Sequence, residues 1–252
     1  MTNPTERFTN RVDTYVRARP SYPPEALELL AQRCGLNPQA VVADIGSGTG
    51  ILTRLLLERG ATVFAVEPNA AMRAAAEEAL SAYTNFRSVA ATAEATSLPD
   101  RSVDLITAGQ AYHWFDPEPT RREWVRILRP GGWIALIWND RRTSGTSFLE
   151  AYEQLLQTYG TDYTSVNHRR IGEADLQAFF GAAPLQKASF PYRQILDLAG
   201  LQGRLLSSSY TPAPGQPGHA EMLDALAKIF AEHQIDGFVH LEYDTLVFYG
   251  QL

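Results

Sequence analysis

Apolar residues at Leu27, Leu30, Ala31 and Cys34 fall on one helix face, and Pro23-Pro24 suits a first helical turn. A helix is therefore expected to run to about Cys34 and to end at Asn37-Pro38. Short apolar runs bounded by turn residues then predict buried strands at Val41–Ile45, Ala61–Glu67, Val103–Ala108 and Trp133–Trp138, with a weaker one at Phe86–Ala90. Between them, helical spacing predicts Gly50–Glu58, Asn69–Leu80 and Glu118–Leu128, and Arg129-Pro130-Gly131-Gly132 reads as a turn. Strands alternating with helices imply parallel strands joined by crossovers, which is a doubly wound α/β sheet.

Beyond Asn139 the alternation stops. Helices are expected at Ser147–Tyr159, Glu173–Phe180, Asp197–Ser207 and Ala220–Glu232, with a proline- and glycine-rich loop between Tyr210 and Gly218. Phe190–Ile195 and Phe238–Tyr249 read as strands that complete the sheet, leaving the intervening helices as a lid. The expected organisation is one domain: 1–36 as leader and first helix, 37–139 as a cofactor-binding core, 140–237 as helical cap elements with one strand, and 238–252 as the terminal strand.

Composition narrows the function. The 252 residues are 45% hydrophobic and 20% charged, ordinary for a globular protein. A net charge of −6 opposes non-specific binding to nucleic acid or to an anionic membrane, which needs a dominating basic field. With no apolar run of membrane-spanning length and no basic-then-apolar start, the expectation is a cytoplasmic protein, without nucleic-acid or membrane partners, that is a monomer or weak homodimer. Cys34 lies on the apolar stripe and is expected in the core, and no metal site is expected.

The chemistry concentrates at Asp44-Ile45-Gly46-Ser47-Gly48-Thr49-Gly50, which follows a strand and opens a helix. There, missing side chains let a ligand approach free backbone N–H groups. Glu67 ends the next strand, where a carboxylate can accept hydrogen bonds from both hydroxyls of a ribose. A dinucleotide fingerprint would put its third glycine at position 51, which is Ile51 here. The third glycine is Gly50 instead, and Asp44 beside the turn suits an ammonium and would repel a pyrophosphate.

Five ordered blocks carry a resemblance: Asp44-x-Gly46-x-Gly48-x-Gly50, Glu67-Pro68-Asn69-x-x-Met72, Ala93-Glu94 before Leu98-Pro99, Asp104-Leu105-Ile106, and Leu128-Arg129-Pro130-Gly131-Gly132. Together they resemble class I S-adenosylmethionine-dependent methyltransferases of the type 11 group. The leader Tyr15-Val16-Arg17-Ala18-Arg19-Pro20-Ser21-Tyr22-Pro23 and the phrase Gln110-Ala111-Tyr112-His113-Trp114-Phe115 are similar to the small-molecule branch of trans-aconitate methyltransferases.

The resemblance implies a Rossmann-like sheet of about seven mostly parallel strands with an antiparallel last strand, lidded by the leader and the C-terminal half. It implies S-adenosylmethionine as cofactor, its methionine part along Gly46, Ser47, Gly48 and Gly50 beside Asp44. Glu67 would hold the ribose hydroxyls, Pro68 and Met72 would pack on adenosine, and Ala93 and Glu94 would meet the adenine edge. Many relatives have aspartate where Glu94 stands. Gln110 would bring its backbone to the methionine ammonium, and Tyr15 and Arg19 would close over the cofactor.

The acceptor is expected to be a small molecule, reached by Tyr22, Tyr112 and Trp114, with a carboxylate, hydroxyl or amine as the methylated group. An amine or hydroxyl must lose a proton, for which His113 is the candidate base. A carboxylate would instead call for arginines, with Arg17, Arg169 and Arg170 as suggestions. A non-catalytic adenosyl-binding regulator and an NAD-dependent oxidoreductase remain as rivals, the second disfavoured by Ile51 and Asp44.

Overall fold

A computed structural model describes residues 18–161, 163 and 171–252. The first helix, α1, spans Pro24–Arg33 and buries Ala26, Leu27 and Leu30. Three strand–helix steps and one strand without a helix follow: β1 (Val41–Ile45) to α2 (Ile51–Glu58), β2 (Thr62–Val66) to α3 (Ala70–Ala79), then β3 (Phe86–Val89) alone, and β4 (Val103–Gly109) to α4 (Pro117–Ile127). Asn69 caps α3 by accepting from the Met72 N–H at 3.0 Å, so the Glu67-Pro68-Asn69 corner sets where that helix starts.

The seven strands lie in the order β3-β2-β1-β4-β5-β7-β6, with β5 at Leu128–Arg141, β6 at Gln186–Leu196 and β7 at Val239–Gly250. β1 to β5 pair in parallel, and β7 runs antiparallel to both β5 and β6. The order reverses at β1 and β4, which places the carboxyl ends of those two strands at the switch point where open α/β sheets bind ligands.

Alternation along the strands splits the core. Val42, Leu105, Ala135 and Ile137 face α1 and α2, whereas Ala43, Ile45, Ile106, Ala108, Ile134 and Leu136 face α4. Cys34 is 1% exposed on the first face, and burial pushes its thiol up to about 12, as a core residue requires. Each fully buried aliphatic side chain contributes roughly 1.5–3 kcal/mol, so these two layers fix the register that positions the strand ends.

Two expectations change. The Arg129–Gly132 turn is instead an interruption within one long β5: Val103 pairs with Leu128, Leu105 with Trp133, and the residues between loop out. The lid also lacks one helix. Helix α6 (Glu173–Phe180) sends Leu176, Phe179 and Phe180 into the α4 face beside Trp124. The cap proper is α5 (Ser147–Tyr159), α7 (Leu198–Leu206) and α8 (His219–His233), joined through Phe148, Tyr152, Leu201, Leu205, Met222 and Leu226.

This cap rests on the sheet itself. Gly109 is level with Ile137, and Ile137 with Val247; from there β7 continues outward to Val239, paired with β6 as far as Leu196. Val239, Leu241 and Tyr243 on that overhang belong to the cap's core. The overhang thus carries the cap to the end of the sheet where β1 and β4 stop. Among the described residues, no helix is long and apolar enough to cross a membrane, and no group of three or more His, Cys, Asp or Glu side chains could hold a metal ion.

Candidate active site

The turn after β1 is built by hydrogen bonds from the neighbouring strand. Gly46 and Ser47 donate their N–H groups to the Val66 carbonyl at 2.8 and 3.2 Å. Glu67 then clamps both sides of the corner: its Oε2 accepts from the Gly48 N–H at 2.9 Å and its Oε1 from the Asn69 N–H at 2.8 Å. Burial pushes the Glu67 carboxyl upward, and those two N–H groups with the Arg73 charge pull the other way. Arg73 donates to the Glu67 carbonyl at 2.9 Å and so fixes the backbone of the corner.

Asp44 is 1% exposed and is held by two threonines that sequence reasoning missed. Thr53 Oγ1 on α2 donates to Oδ2 at 2.6 Å, and Thr107 Oγ1 on β4 donates to Oδ1 at 2.8 Å. Burial nevertheless dominates and raises the Asp44 carboxyl to about 6, with the Glu67 charge adding to the rise. A carboxylate so situated gains most from a cation placed beside it.

Tyr22, Asp44, Gly46, Ser47, Gly48, Thr49, Ile51, Leu52 and Gly109 line one pocket. The Tyr22 hydroxyl lies over the end of β4, where a Cβ at Gly109 would stand 2.5 Å from it. Among the described residues the buried hydroxyls of Ser47 and Thr49 have no hydrogen-bond partner, an arrangement that costs free energy until a ligand supplies one. Gly48 has φ +58° and open space where a side chain would begin, whereas Gly46 is covered by Ala111 and the Phe115 ring.

Gln110 has φ +57°, uncommon for a residue with a Cβ. Its N–H donates to the Ile137 carbonyl at 2.8 Å and its Nε2 to the Asn139 carbonyl at 3.1 Å, so the strained residue is held from both ends. The consequence is a sharp reversal that turns the next residues back onto the protein.

That reversal relocates Tyr112. Expected against the acceptor, it is 4% exposed and its ring meets Phe115, Trp124, Trp138 and Phe179 at centroid distances of 5.0 to 6.3 Å. It is a core residue. His113 and Trp114 are half-buried with their rings 4.8 Å apart. His113 Nδ1 accepts from Trp138 Nε1 at 3.4 Å, so in a neutral ring the proton lies on Nε2.

The remaining expected residues are spread over the site and its walls. Met72 and Ala93 are buried and Pro68 is half-buried. Glu94 Oε1 accepts from the Asp116 N–H at 3.1 Å, which fastens the approach to α4. Gly50 caps α2. Arg19 Nη2 donates to the Ser207 carbonyl in the cap at 2.8 Å. Tyr15, Arg17, Arg169 and Arg170 lie outside the described residues.

Comparison with known proteins agrees with this geometry. Residues 43–136 match the sequence model of the methyltransferase domain family. An uncharacterized methyltransferase of Mycobacterium tuberculosis is 42% identical over 134 residues, 53% of this chain and 52% of the relative, so the chain spans about half the length of that relative. An uncharacterized methyltransferase-like protein of Schizosaccharomyces pombe is 28% identical over 96% of this chain and 93% of its own. A solved structure provisionally described as a type II methyltransferase, from Anaeromyxobacter dehalogenans, shares the fold with a TM-score of 0.69 at 22% identity, covering 92% of this chain and 97% of its own. The chain is thus similar to methyltransferases through the whole segment that builds the glycine turn, the Glu67 corner and β4, within a Rossmann-like seven-stranded sheet.

Proposed function

We propose that the protein transfers the methyl group of S-adenosylmethionine to a small-molecule acceptor. The observation that carries this reading is the pocket at Asp44 to Thr49, with the Glu67 clamp at its side and two buried hydroxyls that lack partners among the described residues. The chemistry of the donor set fits the cofactor. Each Glu67 oxygen has a lone pair left for a ribose hydroxyl, Ser47 and Thr49 can bond a carboxylate, and Asp44 favours an ammonium. Bound there, S-adenosylmethionine supplies a methyl already activated on a sulfonium, so the chain need only align the acceptor and exclude water.

The roles follow from placement. Gly46 to Gly50 and Asp44 would hold the methionine part, Glu67 the ribose, and Pro68, Met72, Ala93 and Glu94 the adenosine side. Tyr22 over Gly109 would border the sulfonium, where an aromatic face favours a cation. The finer likeness to trans-aconitate methyltransferases belongs to this proposal, as does a cytoplasmic location. His113, with Nδ1 engaged by Trp138, would orient an acceptor by donating from Nε2 rather than by removing a proton.

Calorimetry with S-adenosylhomocysteine, followed by tritium transfer from labelled S-adenosylmethionine to candidate acceptors, tests the proposal. Tight binding of NADH with no binding of S-adenosylhomocysteine would overturn it. Glu67→Ala should weaken S-adenosylhomocysteine binding at least tenfold and also lower the melting temperature of the unliganded protein by several degrees. The second effect follows because two backbone N–H groups lose a charged acceptor, each worth about 1.5–3 kcal/mol. Unchanged binding in that variant would make Glu67 purely structural.

A further inference from the structure

Strand β5 carries a buried amide just beyond its apolar run. The alternation that turns Ile137 toward α1 and α2 turns Asn139 the same way, two positions further out, and Asn139 is 5% exposed. A desolvated amide is tolerated only when its polar atoms are bonded. Here Oδ1 accepts from Thr245 Oγ1 at 2.6 Å, on the cross-strand partner in β7, and Nδ2 donates to the Ser21 carbonyl at 2.9 Å. A carbonyl can only accept, so the nitrogen faces Ser21 and the oxygen is left for the hydroxyl. The Asn139 main chain serves the same region: its carbonyl accepts from Nε2 of Gln110, the left-handed residue directly after β4.

Ser21 is also held from its other side. Its N–H donates to the Tyr192 hydroxyl on β6, so the sheet grips both the donor and the acceptor of one residue. Earlier in the same stretch, Gln194 Nε2 donates to the Ala18 carbonyl at 3.2 Å while Gln194 Oε1 accepts from the Tyr243 hydroxyl at 2.8 Å. The main chain of residues 18–21 is thus fastened to β5 and β6, on the part of the sheet that extends past Gly109.

The next residue is Tyr22. It is 8% exposed, lines the pocket with Asp44 and the glycine turn, and sets its hydroxyl over Gly109. The Ser21 carbonyl belongs to the planar peptide that ends at the Tyr22 Cα. Aiming that oxygen at Asn139 therefore orients the bond from which the Tyr22 side chain departs.

We propose that Asn139 is a positioning residue for methyl transfer: by fixing Ser21, with Tyr192 on the other side, it sets the Tyr22 ring against the sulfur of the bound ligand. A ring face attracts the sulfonium of the methyl donor and has no such attraction for the uncharged thioether of the product. The ring held by Asn139 is thus what lets the site tell a fresh donor from the spent one. This inference rests on the methyl-transfer reading above and concerns what fixes the ring beside the sulfur.

The test compares S-adenosylmethionine with S-adenosylhomocysteine by calorimetry on the full chain. These ligands differ only in the methyl group and its positive charge, so the ratio of their affinities reads the surroundings of the sulfur. Tyr22→Leu should lower the affinity for S-adenosylmethionine relative to S-adenosylhomocysteine about fivefold, the size of a partly desolvated cation–aromatic contact. Asn139→Ala should shift the ratio about threefold in the same direction, and adding it to Tyr22→Leu should shift it no further, because the ring is already gone. A residue that only braced the fold would weaken both ligands alike and leave the ratio untouched. Tyr192→Phe, which removes only the oxygen that accepts from Ser21, should move the ratio the same way and serves if Asn139→Ala does not fold. An unchanged ratio in Tyr22→Leu, an unchanged ratio in both Asn139→Ala and Tyr192→Phe, or additive effects in the double variant overturns the inference. Failure of both ligands to bind the wild type would instead overturn the methyl-transfer reading, so the two failures are distinct.

Discussion

Gly48→Arg should reduce S-adenosylhomocysteine binding by at least a hundredfold while the protein remains folded. At φ +58° an L side chain costs about 1–2 kcal/mol, and the space around the new Cβ is open, so no core atom has to move. A loss of that size lowers the melting temperature of a chain this long by only a few degrees. The guanidinium then stands in the ligand's place and can pair with Glu67, whose carboxylate already accepts from the Gly48 N–H. Gly46→Ala gives the contrasting result, because its Cβ would stand 2.6 Å from that of Ala111: instability precedes any question of binding. Wild-type calorimetric affinity in a folded Gly48→Arg protein would remove the ligand from this turn.

Asp44→Asn should separate stability from binding in opposite directions. The folded carboxyl is raised to about 6 from its ordinary 3.8, so the folded state holds a proton that the unfolded state has lost between those values. The stability contribution of this group is therefore complete below pH 3.8 and is lost as pH rises through about 6. At pH 7 the unliganded protein carries the penalty of a buried anion, on the order of 1–3 kcal/mol. Asparagine removes that penalty and keeps an acceptor for one of the two threonines, so the variant should melt several degrees higher at pH 7.

Binding should move the other way. A ligand ammonium beside Asp44 favours the ionised form, so S-adenosylhomocysteine affinity in the wild type should rise about tenfold from pH 5 to pH 7, a window in which the ligand's amino group stays protonated. Glu67, also pushed upward by burial, acts in the same direction, and Asp44→Asn isolates the part due to Asp44. A flat pH profile in the wild type, or a variant with unchanged affinity and a lower melting temperature, would leave Asp44 as a link between β1, α2 and β4 and nothing more.

Much of the fold was legible because local signals agree with the tertiary outcome. The buried run Val41–Ile45, the proline ahead of α1 and the Asn69 corner each point to the element that forms. Helices α5 and α6 occupy the intervals their periodicity predicts. The glycine turn and Glu67 were legible for the same reason, since a strand end and a helix start bring them together by chain geometry alone.

What was missed depends on partners distant in sequence. Thr107 is an ordinary β-branched residue until β4 pairs with β1 and brings its hydroxyl to Asp44, 63 positions earlier. Tyr112 looked like a wall residue because nothing in Gln110-Ala111-Tyr112 announces the left-handed Gln110 that turns it inward. Nothing in the sequence around Arg204, in the last turn of α7, marks it as buried. Only the overhanging β7, which places Tyr243 beneath it, shows that it is buried.

That overhang also constrains how an acceptor enters. A cap that closes as a rigid body needs a hinge, a few residues free to absorb backbone rotation. Here β5, β6 and β7 pass from the core into the cap as continuous strands, paired at every step from Ile134–Gly250 to Leu196–Val239. Swinging the cap away would break that ladder. Under the proposed methyl-transfer reading, an acceptor would therefore have to enter without displacing this strand floor.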